Sequence, residues 1–206
     1  MRVDQIECVV FDVETTGLSP LEGDRVIEIA AIKVKEGKVV ATIESLINPQ
    51  RSIPLEAQRI NHISDDMLID APTAQEFLPK MIDFIGGTPL AGHNIKFDLD
   101  FLCYELSLIG RKLKDTTPAI DTIKMAKRLL PQLSTYRLQN LAQYFGANVQ
   151  ETHRALADVK LTVTVITRLL DLAIKQGFTT PQDIFKEFGV TKPNFKIAEA
   201  NQDVLF

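Results

Sequence analysis

The sequence contains few cysteines, no long apolar run and no excess of positive charge, and each absence argues against a class of protein. Its two cysteines, Cys8 and Cys103, have no CxxC spacing, which argues against a redox motif or a thiolate metal site and predicts buried thiols in a reducing compartment. No segment approaches the roughly eighteen unbroken apolar residues of a membrane span. Arg2, Asp4 and Glu7 stand where a signal peptide needs an apolar core, which predicts a cytoplasmic protein.

The charge balance argues against a protein that grips nucleic acid through a broad basic surface. The formal net charge is −4 at pH 7, whereas such binding depends on many lysines and arginines. This does not exclude a protein that reaches phosphates through metal ions held by carboxylates, in which case the site itself should be acidic.

Hydrophobic patterning predicts an α/β fold with a mixed sheet. ECVVFDV is a nearly continuous apolar run, typical of a central strand. RVIEIAAIKVKEGKVVATIESLINP contains two β-patterned runs around Gly37, which predicts a hairpin. Helix and strand patterns then alternate, with predicted helix caps at Asn94, Asp121 and Thr180 and a long helix over about Arg154 to Lys175.

The stretch FDVETTG, Phe11 to Gly17, places two carboxylates at the end of the apolar strand. Because alternate strand residues share a face, Asp12 and Glu14 project from one face about 7 Å apart. Two like charges on a partly buried face raise each other's pKa unless a positive charge lies between them. A divalent cation is the natural candidate for that charge.

Two further segments offer the missing ligands. Asp98, in HNIKFD, follows a predicted strand and lies in the first turns of the next helix. THRALAD contains His153 and Asp158. Five helical residues correspond to about 500°, so this pair cannot share a helix face, and we expect His153 before the helix and Asp158 within it. Such an Asp suits a metal ligand, and such a His suits a general base on a water molecule.

Four carboxylates without a Cys or His cluster predict a hard oxygen site for Mg²⁺ or Mn²⁺. Carboxylate sites with two such ions about 4 Å apart catalyse phosphodiester hydrolysis.

The segments DVETTG, HNIKFD and HRALAD, in this order, resemble the three motifs of the DEDDh (DnaQ-like) 3′→5′ exonucleases, and most closely those of the proofreading epsilon subunits of bacterial DNA polymerase III and their free-standing relatives. The resemblance covers about residues 7 to 172. It implies a ribonuclease H-like fold with a five-stranded mixed sheet flanked by helices, and release of 5′-monophosphates from 3′ ends. It implies Asp12, Glu14, Asp98 and Asp158 as ligands of two ions and His153 as the base.

The resemblance also implies residues that contact the substrate. These are Thr15, Thr16, Leu18 (packed on the terminal base), Asn61, His93, Asn94 and Phe97. The segment RINHIS departs from the family pattern, often His-Gly-Ile, because Asn61 stands at the His position and His62 at the Gly position. The departure leaves open which sugar or strand is preferred.

The C-terminal region suggests a separate role. We expect an exonuclease domain over residues 1–178, followed by a small helix and a mobile tail over 179–206. Gln202, Leu205 and Phe206 fit the Gln-x-x-Leu-Phe pattern that resembles sliding-clamp binding peptides. The alternative is that this apolar end folds back on the body.

The combined prediction is a 3′→5′ exonuclease acting on single-stranded DNA in proofreading or repair, with a polymerase subunit and the clamp as candidate partners. Two alternatives remain at this point: the same chemistry on RNA, and a non-catalytic accessory of a polymerase or clamp.

Overall fold

A five-stranded mixed sheet lies between two layers of helices in the computed structural model, which describes residues 5–149 and 153–195. The strands are β1 (Glu7–Thr15), β2 (Val26–Lys35), β3 (Lys38–Leu46), β4 (Leu90–Gly92) and β5 (Ala119–Asp121). In the described residues the helices are α1 (Leu55–Asn61), α2 (Ala74–Ile85), α3 (Ile95–Leu108), α4 (Thr122–Leu129), α5 (Leu138–Tyr144), α6 (Ala155–Lys175) and α7 (Pro181–Phe188). Two short 3-10 helices cover Pro20–Glu22 and Asp65–Leu68. The predicted fold class is confirmed.

The strand order is β3-β2-β1-β4-β5. β2 runs antiparallel to β1 and β3, whereas β4 is parallel to β1 and β5 is parallel to β4. The carboxyl ends of β1, β4 and β5 therefore meet at one edge of the sheet, which is where the sequence places most of its candidate site residues.

The two faces of β1 pack against different helices. Val9, Phe11 and Val13 belong to the buried cluster that contains α2 and α3 side chains. Cys8 and Val10 belong to the cluster built from α4, α6 and α7. Because side chains alternate along a strand, Asp12 and Glu14 continue the face that meets α6. A carboxylate from α6 can therefore lie close to Asp12 and Glu14.

The β2–β3 hairpin closes through a two-residue turn. Lys35 pairs with Lys38, while Glu36 and Gly37 adopt φ angles of 51° and 70°. Two consecutive positive φ angles match the right-handed twist of the flanking strands. The prediction for Gly37 is confirmed. The left-handed conformation of Glu36 was not predicted, because glutamate rarely adopts it.

All three predicted cap residues occupy the N-cap position of their helices, and two of them cap through the side chain. Asp121 accepts a hydrogen bond from the Ile123 N–H at 2.8 Å, and Thr180 accepts one from the Asp183 N–H at 3.2 Å. Asn94 occupies the residue before α3, but with φ 63° and without a side-chain capping bond. Asn94 is therefore the N-cap residue, as predicted, but it caps the helix without a side-chain hydrogen bond.

His62 ends α1 in a conformation that suits glycine. Its φ is 58° and its N–H donates to the Gln58 carbonyl. A side chain in this left-handed region is strained by about 1 kcal/mol. We expect His62→Gly to raise the free energy of unfolding by about 0.5 kcal/mol and His62→Ala to leave it unchanged or lower it. Urea denaturation of both variants tests this, and equal stabilities would contradict it.

The C-terminal helix packs into the main core. Ile184 and Phe188 of α7 lie in the buried cluster that contains α6, and Thr191 bridges to Ala119 of β5. The predicted boundary after residue 178 stays a prediction. The predicted clamp peptide, Gln202, Leu205 and Phe206, lies outside the described residues. Within the described ranges, none of the helices combines the length and apolar character needed to cross a membrane.

Candidate active site

Three of the predicted ligands meet at the end of β1. One carboxylate oxygen from each of Asp12, Glu14 and Asp158 lies within 4.8 Å of the other two. Asp12 and Glu14 come from the face of β1 that meets α6, and Asp158 lies in the first turn of that helix. The strand alternation and the start of α6 therefore create this acidic cluster.

The cluster is electrostatically unfavourable without a cation. Burial, followed by the charges of Asp98, Glu14 and Asp158, raises the pKa of Asp12 well above its ordinary range. Burial and the neighbouring acids raise the pKa of Glu14 from 4.5 to about 8, although Arg154 opposes this. Burial also raises the pKa of Asp158. Each carboxyl would be ionised more readily beside a positive charge.

Asp98 approaches the end of β1 from the opposite side of the sheet. It is buried in the first turn of α3, and its Oδ1 accepts a hydrogen bond from the Val13 N–H at 3.0 Å. Val13 lies between Asp12 and Glu14 in β1, so this bond ties α3 to the strand that carries the cluster. Its charge contributes to the raised pKa of Asp12. Asp98 is not one of the three residues whose oxygens converge within 4.8 Å.

His153 lies before α6, as its spacing to Asp158 predicted. Arg154 is the N-cap residue and Ala155 begins the helix. His153 has a φ of 64°, and its N–H donates to Asp158 Oδ2 at 3.1 Å. Its side chain is exposed. The backbone therefore brings the imidazole to the rim of the acidic cluster without burying it.

The loop after β1 is fixed by Asp24. Thr16 Oγ1 donates to Asp24 Oδ1 at 3.2 Å, and the Ser19 N–H donates to Asp24 Oδ2 at 3.0 Å. A Cβ at Gly17 would overlap the Asp24 carboxylate, so a larger residue here would displace Asp24 from these hydrogen bonds. Leu18, held at the tip of the loop, is 86% exposed.

An apolar cleft of about 340 Å³ opens beside the acidic cluster. Five of the predicted substrate contacts line it: Thr15, Thr16, Leu18, Asn61 and Phe97. Asn61 is buried, donates to the Thr15 carbonyl at 3.5 Å and accepts from the Ile63 N–H at 3.0 Å. Asn61 therefore links the loop after α1 to the end of β1.

The other two predicted contacts, His93 and Asn94, do not line this cleft. His93 Nδ1 lies 2.8 Å from Thr122 Oγ1, and the Asn94 N–H donates to Asp121 Oδ1 at 3.3 Å. Burial lowers the pKa of His93. Both residues are therefore tied to the junction of β5 and α4. Their role as substrate contacts stays a prediction.

The donor set fits a divalent metal ion. It consists of carboxylate oxygens from Asp12, Glu14 and Asp158, three groups whose pKa values burial raises. Hard cations such as Mg²⁺ and Mn²⁺ prefer oxygen ligands. These three residues can hold such an ion.

Several site residues were missed by the sequence analysis. One wall of the cleft is formed by α1 and the residue before it, through Pro54, Glu56, Ala57 and Ile60. Glu28 of β2 and Arg154 form an ion pair beside the cluster. The exposed apolar Ile60, 57% accessible, follows no motif. No pattern in the sequence pointed to this ion pair, because its two members lie 126 positions apart.

Comparison with known proteins places the chain in a family. The model of the exonuclease family RNase_T matches residues 9–166. The DNA polymerase III subunit epsilon of Treponema pallidum (strain Nichols) is 40% identical over 176 residues, which cover 84% of this chain and 81% of that protein. The DNA polymerase III PolC-type protein of Caldanaerobacter subterraneus subsp. tengcongensis is 35% identical over 86% of this chain, but the match spans only 12% of that protein.

A solved structure, exonuclease X in complex with 5′ overhanging duplex DNA, has a TM-score of 0.67 and 26% identity, covering 88% of this chain and 99% of that chain. The sequence motifs, the mixed sheet and the matched relatives agree. The protein belongs to the RNase_T exonuclease family.

Proposed function

We propose that the protein is a metal-dependent 3′→5′ exonuclease that removes 5′-mononucleotides from single-stranded DNA. The observation that carries this proposal is the convergence of Asp12, Glu14 and Asp158 beside an apolar cleft. The cluster suits ions that bind phosphate, and the cleft suits an unpaired base. The cytoplasmic location expected from the sequence is part of the same proposal.

The terminal nucleotide binds in the cleft. Leu18 and Ile60 offer exposed apolar surface for its base, and the backbone of Thr15 and Thr16 forms the adjacent wall. Apolar contact with the flat face of a base tolerates any base, since every base presents such a face. This arrangement accounts for an enzyme that removes nucleotides without reading their sequence.

His153 accepts a proton from the attacking water. That water adds to the terminal phosphorus, and the bond from phosphorus to the 3′ oxygen of the preceding nucleotide breaks. The freed 3′ oxygen takes up a proton from solvent to give the new 3′ hydroxyl, and a nucleoside 5′-monophosphate leaves. When two Mg²⁺ or Mn²⁺ ions are bound by Asp12, Glu14, Asp98 and Asp158, they supply Lewis-acid stabilisation of the developing charge. The exposure of His153 lets its proton pass on to solvent.

The relatives support DNA as the polymer and proofreading or repair as the setting. One is a DNA polymerase III subunit, and one structural neighbour is bound to DNA. We infer that the substrate is the 3′ end of single-stranded DNA and that a polymerase subunit is a partner. We further infer that residues 1–178 form the catalytic domain.

Digestion of matched oligonucleotides tests the proposal. Single-stranded DNA and RNA of identical sequence, labelled at the 5′ end, are incubated with Mg²⁺ or Mn²⁺ and the intact chain. We expect a ladder that shortens by one nucleotide at a time and DNA to be cut faster. Faster cutting of RNA would reassign the substrate. No cutting of either polymer would favour the accessory interpretation.

Leu18→Ala tests the assignment of the cleft. Leu18 is 86% exposed, so its truncation leaves the thermal unfolding temperature unchanged. Loss of the apolar contact that the Leu18 side chain makes when the base buries it costs about 1.5–3 kcal/mol, so we expect KM for single-stranded DNA to rise at least about tenfold with kcat nearly unchanged. Leu108→Ala, at the end of α3 and 52% exposed, is the matched control. Equal KM values for the two variants would contradict the assignment.

The C-terminal peptide is proposed to bind a sliding clamp. Gln202 would set the register and Leu205 and Phe206 would fill an apolar groove. Deletion of Leu205 and Phe206 is expected to abolish clamp binding in a calorimetric titration. Unchanged affinity would refute the assignment and favour the alternative that this end packs on the body.

A further inference from the structure

Glu28 is a buried carboxylate beside the acidic cluster that the proposed chemistry does not use. It lies on β2 directly opposite Glu14 of β1 and is 5% exposed. A buried carboxylate is unfavourable unless hydrogen bonds and an opposite charge compensate its lost hydration. The partners of Glu28 therefore indicate what this carboxylate holds in place.

Among the described residues, the hydrogen-bond partners of the Glu28 side chain all come from the start of α6. Arg154 Nε donates to Oε1 and Oε2 at 3.1 Å each, and its Nη2 donates to Oε1 at 2.7 Å. The Ala155 N–H donates to Oε2 at 2.8 Å. A forked guanidinium and a backbone amide thus fix one carboxylate in both position and orientation.

These contacts fix the segment that carries the proposed base. Arg154 follows His153 directly, and Asp158 lies within the same helical turn as Ala155. His153 has an exposed side chain and a left-handed backbone, and its N–H contacts Asp158. Because this side chain is exposed, its placement depends on the backbone of the segment and therefore on the anchored residues that follow it.

A second ion pair of the same composition provides a built-in comparison. Glu105 of α3, 1% exposed, accepts bonds from Arg25 Nε and Nη2 at 2.8 Å each and from the Val26 N–H at 3.1 Å. It has the same chemistry as the pair at Glu28 but fixes the start of β2, far along the chain from His153. Loss of either pair therefore disrupts a buried carboxylate that is held by a forked guanidinium.

We propose that Glu28 and Arg154 are a positioning pair that holds His153 in place for proton transfer. The inference rests on the proposed function, in which His153 is the general base. Neither residue needs to touch the substrate. Because a misplacement of about 1 Å in a reacting group can lower a rate roughly a hundredfold, loss of the pair lowers kcat and leaves KM nearly unchanged.

A double-mutant cycle in the intact chain tests this. kcat and KM for 5′-labelled single-stranded DNA with Mg²⁺ are measured for Glu28→Gln, for His153→Ala and for both together. We expect Glu28→Gln to lower kcat at least about tenfold when His153 is present, and less than about twofold when it is absent. Arg154→Lys, which keeps the charge but loses the fork, is a milder second variant in the same cycle if Glu28→Gln fails to fold.

Glu105→Gln is the control for a purely structural effect. Its effect on kcat should be the same with and without His153, because it acts through stability or through the β2 segment. If Glu28→Gln and Arg154→Lys also act equally in both backgrounds, the pair is only structural and the inference is overturned. If Arg154→Lys raises KM and preserves kcat, Arg154 binds substrate and the inference is again overturned.

The outcomes separate this inference from the proposed function. If His153→Ala leaves kcat unchanged, the assignment of the base fails and the positioning role falls with it. If His153→Ala lowers kcat but the cycle is additive, the base assignment stands and only the positioning pair is refuted.

Discussion

Asp12→Asn is expected to lower the rate of 3′-end hydrolysis at least about a thousandfold while the metal-free protein becomes more stable. The substitution removes one oxygen anion from the group formed with Glu14 and Asp158, and with it the site's affinity for the ions that stabilise the transition state. It also removes the cost of burying a charge at this position and the repulsion from the neighbouring carboxylates, which together raise the pKa of Asp12. Activity and stability should therefore move in opposite directions.

This opposition distinguishes a functional carboxylate from a structural one. A structural Asp that is hydrogen-bonded in the fold would lose stability when neutralised. Asp66→Asn, the same chemical change at an exposed position in a 3-10 helix, is the control and should alter neither property. Stability is compared by thermal unfolding in EDTA, and activity by gel analysis of labelled DNA. A destabilised Asp12→Asn protein with normal turnover would contradict the assignment.

The stability of the folded protein is expected to depend on pH and on bound metal together. In EDTA the protein is expected to lose stability as the pH rises from about 5 through 8. Burial raises the pKa of Glu14 from 4.5 to about 8 in the folded state, so the folded protein binds a proton that the unfolded chain releases. The stability contributed by that proton is complete below about 4.5 and is lost as the pH passes 8. Asp12, Asp98 and Asp158 act in the same direction.

Saturating Mn²⁺ should cancel this loss. The ion binds the ionised carboxylates and competes with protons, so its stabilising effect is small near pH 5 and grows to several degrees of melting temperature near pH 8. Calorimetric scans at a series of pH values, with EDTA or with Mn²⁺, measure the difference. Glu14→Gln serves as the matched variant, since it should flatten the pH dependence in EDTA. A Mn²⁺ effect that is equal at all pH values would be inconsistent with a carboxylate site.

The sequence predicted the sheet and most of its helices because their signals are local. The apolar run of β1, the hairpin at Gly37 and the caps at Asp121 and Thr180 each depend on residues a few positions apart. The rotation argument for His153 and Asp158 also held, since it used only helix geometry. These local features were enough to predict which strand and which helices carry the site, without any long-range contact.

The features that the sequence did not reveal depend on contacts between distant segments. Glu28 and Arg154 are separated by 126 positions, and nothing near either residue indicates the pairing. The hydrogen bond from Val13 to Asp98 joins positions 85 apart. The α1 wall of the cleft follows from how the loop after β3 folds back on β1. Ile60 lines the cleft only because of that tertiary arrangement.

The most direct test of the account is to count the ions that the acidic cluster binds. Electron paramagnetic resonance of free Mn²⁺ is measured during titration of the wild-type chain and of Asp12→Asn, each with saturating dTMP as the product nucleotide. Two Mn²⁺ ions are expected to bind per wild-type chain, and Asp12→Asn is expected to lose at least one of them. A wild-type chain that degrades DNA but binds no Mn²⁺, or a variant that binds both ions as tightly, would contradict this expectation.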